Sequence, residues 1–142
     1  MKKPSAANSN LKLPDPLIFF IDRCLGNRVV AEALRNEGVY VEIHDDHFPR
    51  DARDEDWLSK VGKRGWVVLT KDTRIRYRRN EMTAVRRNGV RMFTIKGGDL
   101  NGKEIAEIFL TELPKMKRFL MRNNSPFIAK VTKGSVKSVY TL

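Results

Sequence analysis

Acidic residues follow the predicted strands of this 142-residue chain at the positions where a parallel sheet places functional groups. Asp22 ends the apolar run PLIFFID, Asp45 and Asp46 end VYVEIHDD, and Asp72 follows WVVLT. Carboxylates that crowd together at one edge repel each other unless a cation lies among them. Mg²⁺ or Mn²⁺ is the hard, oxygen-seeking ion that such a site selects, and it can activate a water molecule against a phosphodiester.

Three further acids, Asp54, Glu55 and Asp56, open the helix predicted for DEDWLSKVGKRG. Each acid alone has a plain explanation: Asp54 is a good N-cap, and the pair after the second strand could be ordinary loop residues. Asp22 is harder to explain in this way, because it closes an apolar run that must be buried. The acids taken together therefore predict a metal site.

A basic segment directly follows the third predicted strand. Residues 71–91 carry eight Lys and Arg side chains against two acids, whereas residues 15–56 hold 11 of the 17 acids. The formal net charge of +11 makes a polyanionic partner the expected one, with a solvated basic face as the alternative. Arginine forks suit phosphate oxygens, and Tyr77 can stack on an unpaired base. We expect three side chains of this segment to hold the substrate backbone: Lys71, Arg74 and Arg76.

The histidines and the cysteine offer alternative chemistry. A transition-metal site on His44 and His47 is conceivable, but two histidines without a cysteine pair or an HExxH pattern favour polar packing or loop hydrogen bonds. Cys24 is the only cysteine, which excludes an internal disulfide and favours a reducing compartment. Nothing marks it as a nucleophile, so a packed thiol is expected.

Strands and helices alternate along the chain, which predicts one α/β domain with a mostly parallel sheet. The segment from Gly102 to Asn123 predicts a helix, a break at Pro114 and a second helical stretch, and PFIAKVTKGSVKSVYTL predicts two short strands. We expect a flexible polar arm at 1–14 and a single domain at 15–142 that ends in a short β-hairpin.

Location and assembly follow from the apolar runs. The longest one near the start, Leu17 to Ile21, is too short for a signal-peptide core or a membrane span, so we expect a cytoplasmic protein with no membrane partner. The apolar face of IAEIFLTELPKMKRFLM could be core or the interface of a homodimer.

Four segments resemble the PIN-like domains related to VapC-type toxin ribonucleases: FFIDRCLG, EALRNEGVYVEIHDDHF, DEDWLSKVGKRGWVVLTKD and PFIAKVT. The likeness runs from about Leu17 to about Thr132, and its ordered acid motifs are fairly specific. It implies a three-layer α/β/α sandwich and a Mg²⁺- or Mn²⁺-dependent endoribonuclease. Such a protein commonly acts on RNA as the toxin of a toxin–antitoxin pair, and it is often a homodimer.

The resemblance also implies site residues. The family's catalytic and metal-binding acids fall on Asp22, Asp54 and Asp72, and Asp46 and Asp56 are candidates for a fourth metal ligand between which the motif does not decide. Thr70 matches the small hydroxyl residue before the last acid and is expected to contact the substrate or to orient a carboxylate or a water.

Two other functions stay open. The further acid and the longer helical insert of typical toxins have no clear counterpart here, so a non-catalytic nucleic-acid-binding PIN-like protein is the alternative. A phosphoacceptor receiver domain is less consistent with the chain, because its acid pair follows the first strand, whereas here the pair follows the second.

Overall fold

A six-stranded sheet carries helices on both faces in the computed structural model, which describes residues 12–26 and 28–141. The predicted arm at 1–14 thus lies mostly outside the described residues. The strands are β1 (Ile18–Ile21), β2 (Tyr40–Ile43), β3 (Val67–Thr70), β4 (Arg91–Thr94), β5 (Phe127–Thr132) and β6 (Ser135–Thr141). The α-helices are α1 (Val29–Asn36), α2 (His44–His47), α3 (Asp54–Arg64), α4 (Arg79–Arg87) and α5 (Gly102–Arg122). Two 3-10 helices cover Arg23–Leu25 and Ile75–Tyr77.

The strand order is β2-β1-β3-β4-β5-β6, with β1 to β5 parallel and β6 antiparallel to β5. From β1 the chain moves outward to β2 and then returns across β1 to form β3. The crevice between the carboxyl ends of β1 and β3 is therefore the switch point at which open α/β sheets bind ligands. Because Ile21 pairs with Leu69, the residues that follow these strands reach the crevice at the same level.

Alternate strand residues enter two hydrophobic cores, as the pleat of a strand requires. Ile21 and Leu69 pack on the side of α1 and α5, whereas Phe20 and Val68 pack on the side of α3 and α4. All four side chains are almost fully buried. The predicted sandwich with a mostly parallel sheet is confirmed.

The break predicted at Pro114 is wrong, because α5 runs without interruption from Gly102 to Arg122. An internal proline costs a helix roughly 3 kcal/mol. Here the proline is exposed, and buried side chains on either side of it, such as Phe109 and Met116, hold both halves of the helix to the sheet. Packing of the apolar face outweighs the lost backbone bond.

The second strand ends earlier than its alternating pattern suggests. The HDDH segment forms the short helix α2 immediately after Ile43. Among the described residues, no helix has the length and apolar character needed to cross a bilayer.

Candidate functional site

Three of the predicted acids line one cavity at the carboxyl edge of the sheet. Asp22 follows β1, Asp72 follows β3, and Asp54 begins α3. The cavity has a volume of about 360 Å³. Its other lining residues are Arg23, Cys24, His44, Arg50 and Ala52. We call it the acidic cavity.

Asp22 is the most buried carboxylate of the acidic cavity, with 7% of the residue exposed. The hydroxyl of Thr70 donates a hydrogen bond to its Oδ2 atom at 2.8 Å. Burial raises the pKa of Asp22, and the negative charge of Asp54 raises it further, although the bond from Thr70 opposes both effects. Asp22 is thus a carboxylate whose ionised form is poorly stabilised by the protein alone.

Thr70 lies beneath the cavity rather than on its surface, because the residue is fully buried at the end of β3. Its hydroxyl oxygen also accepts the backbone N–H of Asp72 at 3.0 Å and lies 3.2 Å from the Cys24 sulfur. One hydroxyl group therefore joins the segment after β1 to the segment after β3. This arrangement orients a carboxylate, and it leaves Thr70 no direct path to a substrate.

Asp72 is held by the basic segment that follows it. Its Oδ1 accepts the backbone N–H of Arg74 at 2.9 Å, and its Oδ2 pairs with the guanidinium of Arg78 at 2.5 Å. The 3-10 helix Ile75–Tyr77 turns the chain back so that Arg78 can reach the carboxylate. This hydrogen bond with Asp72 raises the pKa of Arg78. Sequence reasoning had not paired these residues.

Asp54 does not act as the predicted N-cap. The N-cap position of α3 is Arg53, and no side chain caps the helix there. The Oδ1 atom of Asp54 instead accepts the indole N–H of Trp57 at 3.0 Å. Because Trp57 is fully buried, the core side chain fixes the direction of this carboxylate toward the cavity.

Cys24 lines the acidic cavity with its sulfur against Asp22 and Thr70, and the residue as a whole is exposed, although a packed thiol was expected. Its sulfur lies 3.5 Å from Oδ2 of Asp22 and accepts the backbone N–H of Lys71 at 3.4 Å. Removal of the sulfur from water, together with the nearby Asp22 charge, raises the pKa of Cys24 to about 11. The thiol is therefore protonated at neutral pH and is a poor nucleophile.

Of the remaining metal candidates, His44 lines the acidic cavity, whereas His47, Asp46 and Asp56 do not. His44 is buried against Phe20 and Phe48, and Nε2 of His47 lies 2.6 Å from a carboxylate oxygen of Glu42, as expected for packing and loop bonds.

Two acids that the resemblance had offered as further ligands are exposed and do not line the cavity: Asp46 and Asp56. The second of these pairs with Arg53 at 3.3 Å. In residues 12–26 and 28–141, no group of three or more His, Cys, Asp or Glu side chains is arranged to hold a metal ion.

A second cavity, of about 310 Å³, adjoins the acidic one, and Asp72 lines both. We call it the basic cavity. Two of the predicted substrate contacts, Arg74 and Arg76, line it, and Lys96 and Lys130 also do. Neither lysine was singled out from the sequence, because Lys96 follows β4 and Lys130 lies within β5, and the position of these strands in the sheet is a tertiary property.

Lys71, the third predicted contact, lines neither cavity. Its side chain lies over Gly97, where an added Cβ atom would come within 3.0 Å of the lysine Cδ. Lys71 is exposed at the rim between the segments that follow β3 and β4.

Comparisons with known proteins agree with this architecture. The family model described as "PIN like domain" matches residues 17–97. A protein of Mycobacterium tuberculosis (strain ATCC 25618 / H37Rv) named "Putative ribonuclease VapC45" is 27% identical over 124 residues, which cover 84% of this chain and 89% of that protein. No solved structure matches the chain significantly.

Proposed function

The chain belongs to the family of PIN-like domains, and from this premise we propose that it is an endoribonuclease that hydrolyses RNA phosphodiesters with Mg²⁺ or Mn²⁺. One observation carries the proposal. Asp22, Asp54 and Asp72 converge on a single cavity at the β1–β3 crevice, and a cavity lined by cations shares a wall with it. Carboxylates beside a phosphate-binding surface are the equipment that metal-assisted phosphodiester hydrolysis requires.

The acidic cavity suits a hard divalent cation in its donor chemistry. Asp22 and Asp54 offer carboxylate oxygens, and a cation between them would offset the repulsion that contributes to the raised pKa of Asp22. These two residues would hold the ion, and Asp72 would join them after its pair with Arg78 opens. A bound Mg²⁺ or Mn²⁺ would lower the pKa of a water molecule and offset charge on the phosphate.

The protein's own groups would fix the remaining geometry. Thr70 keeps Asp22 in place, and Trp57 keeps Asp54 in place, so neither carboxylate has to be ordered when RNA binds. Arg74 and Arg76 would hold phosphate oxygens beside the acids, with Lys71 at the rim. The exposed acids Asp46 and Asp56 have no part in this ligand set.

The biological role that we propose is that of the toxin in a toxin–antitoxin pair, acting in the cytoplasm. The resemblance to VapC-type ribonucleases and the printed name of the mycobacterial relative support it. RNA would be the substrate, and an antitoxin protein would be the partner that silences the activity. The homodimer expected from that resemblance is part of the same proposal.

A non-catalytic RNA-binding protein is the second candidate, and a specific observation favours it. Asp72 is already bound by Arg78, and no three-ligand group is preassembled among the described residues. Such a protein would use the basic cavity alone, and its RNA affinity would not change when Asp22 is neutralised.

Cleavage of a mixed single-stranded RNA pool with Mg²⁺ or Mn²⁺ separates the two candidates. Wild type should cut only with the metal. The cleavage rate of Asp22→Asn and of Asp72→Asn should each fall roughly 100-fold or more, because no other group can replace a carboxylate that binds the metal. Asp15→Asn, an exposed acid before β1, is the matched control and should cut normally. RNA binding without metal-dependent cutting in any variant would establish the second candidate.

A further inference from the structure

The cations of the basic cavity have no acidic partners within the part of the chain that the structure describes. Arg74, Arg76, Lys96 and Lys130 form no ion pair there, and the one carboxylate that lines the cavity, Asp72, already pairs with Arg78. Four uncompensated positive charges that line a cavity of about 310 Å³ attract an anion. The wider excess of +11 adds to that attraction.

One wall of the basic cavity is apolar. Ile75 and Ile128 are almost fully buried, and Val139 of β6 completes this wall. Thr73 and Thr94 add hydroxyl groups beside it. A phosphate ion alone would make no use of an apolar wall, whereas a nucleotide presents a phosphate, a polar sugar and a flat base together.

Tyr77 stands exposed at this cavity with 71% of the residue accessible. The guanidinium of Arg76 lies 4.6 Å from the centre of its ring and also bonds to its hydroxyl group. This contact holds the ring in place without covering it. An exposed, oriented aromatic ring beside cations is the arrangement on which unpaired bases stack.

Resting on the function proposed above, we propose that the basic cavity binds the nucleotide of single-stranded RNA that adjoins the cleaved phosphodiester. Lys96 and Lys130 contact its phosphate, and Tyr77 stacks on its base. Because Asp72 lines both cavities, a chain that places one phosphate at the acids places its neighbouring nucleotide here. The base must be unpaired in order to reach the tyrosine, so the site selects single strands.

The test measures binding separately from cutting. Fluorescence anisotropy with a labelled single-stranded RNA 12-mer in EDTA, over a series of NaCl concentrations, compares wild type with Lys96→Gln/Lys130→Gln. Two lost phosphate contacts should reduce the slope of log K against log[salt] by about 1.4. The same loss should weaken binding about 10- to 30-fold at 0.1 M salt. Both lysines are exposed, so folding should be intact, and a thermal melt checks this.

The matched control is Lys63→Gln/Lys117→Gln, which removes two lysines near the amino ends of the strands, whereas the two cavities lie at the carboxyl ends. Its slope should stay within about 0.5 of wild type, since distant cations add only screened attraction. Tyr77→Ala should weaken binding roughly 5- to 150-fold without changing the slope, and Tyr77→Phe should bind like wild type.

The outcomes separate this proposal from the proposed function. If wild type cuts RNA but the cavity and control pairs bind with equal slopes, the basic cavity is not the subsite and the nuclease stands. If the Lys96→Gln/Lys130→Gln variant binds weakly and wild type does not cut RNA with either metal, the subsite stands as an RNA-binding site and the nuclease fails. Equal affinity of wild type for duplex and single-stranded RNA would overturn the single-strand assignment.

Discussion

The hydroxyl group of Thr70, at the end of β3, donates a 2.8 Å hydrogen bond to Asp22, which follows β1. Both residues are buried, and the same hydroxyl oxygen accepts the backbone N–H of Asp72. The two strands that flank the crevice are thus joined through a side chain as well as through their backbones. The position of two of the three acids depends on one oxygen atom.

Thr70→Val should therefore destabilise the protein by about 1–3 kcal/mol, because the substitution leaves two polar groups without their partner. Thr70→Ser keeps the hydroxyl group and should cost less, about 1 kcal/mol for the lost methyl group. Urea unfolding measures both. A Thr70→Val variant as stable as wild type would mean that the hydroxyl bonds contribute nothing and that only packing matters.

Asp22→Asn should stabilise the metal-free protein at neutral pH. The folded pKa of Asp22 lies above its unfolded value, so the stability due to this residue is complete below the unfolded pKa near 3.8 and is lost as pH rises through the folded pKa. Asparagine has no ionisation and suffers no such loss, and its side-chain oxygen can still accept the Thr70 bond. The melting temperatures of both proteins in EDTA from pH 3 to 8 should diverge as pH rises. An Asn variant that melts below wild type at pH 7 would contradict this.

Alkylation of the single cysteine reports on the same site. With a pKa of about 11 for Cys24, about 0.1% of the thiol is ionised at pH 8, against roughly a quarter of a free cysteine with pKa ~8.5. Iodoacetamide should thus modify the folded protein about 100-fold more slowly than the urea-unfolded chain, as followed by mass spectrometry. Asp22→Asn should speed the reaction by removing a negative charge beside the sulfur. An unchanged rate in that variant would show that the two side chains do not interact.

Divalent cations should stabilise the protein, and Arg78 should limit how tightly they bind. A ligand that binds only the folded state adds about 2.7 kcal/mol at a concentration 100 times its Kd. Arg78→Met frees the carboxylate of Asp72 and should tighten Mn²⁺ binding several-fold in a thermal-shift titration. Arg79→Met, an exposed neighbour, is the control. Adding Asp72→Asn to Arg78→Met should abolish the gain, and a gain that persists would exclude Asp72 as a ligand.

The acids could be located from the sequence because the strand-end rule needs only the points at which apolar runs stop. Asp22 and Asp72 satisfy it directly, and Asp54 opens a helix whose amphipathic pattern is plain. The role of Asp54 was misjudged, since its sequence position does not show whether its oxygens cap the helix or accept a bond from Trp57. That choice depends on the rotamer of a buried side chain.

The cations and the proline required information that local pattern does not contain. Lys96 and Lys130 reach the basic cavity because β4 lies next to β3 and β5 lies next to β4, and strand order is a tertiary property. Arg78 reaches Asp72 only through the 3-10 turn between them. Pro114 stays inside α5 because packing against the sheet outweighs the local preference for a break.

The joining of β1 to β3 also sets when a newly made chain can acquire its site. Asp22 and Thr70 are 48 residues apart, so at about 5–20 residues per second the ribosome adds the second partner roughly 2 to 10 s after the first. Until β3 has been made and has paired, Asp22 has no hydroxyl partner and the acidic cavity does not exist. A growing chain that has not reached Thr70 therefore lacks the acidic cavity, and a ribosome that stalls before Thr70 releases a product without it.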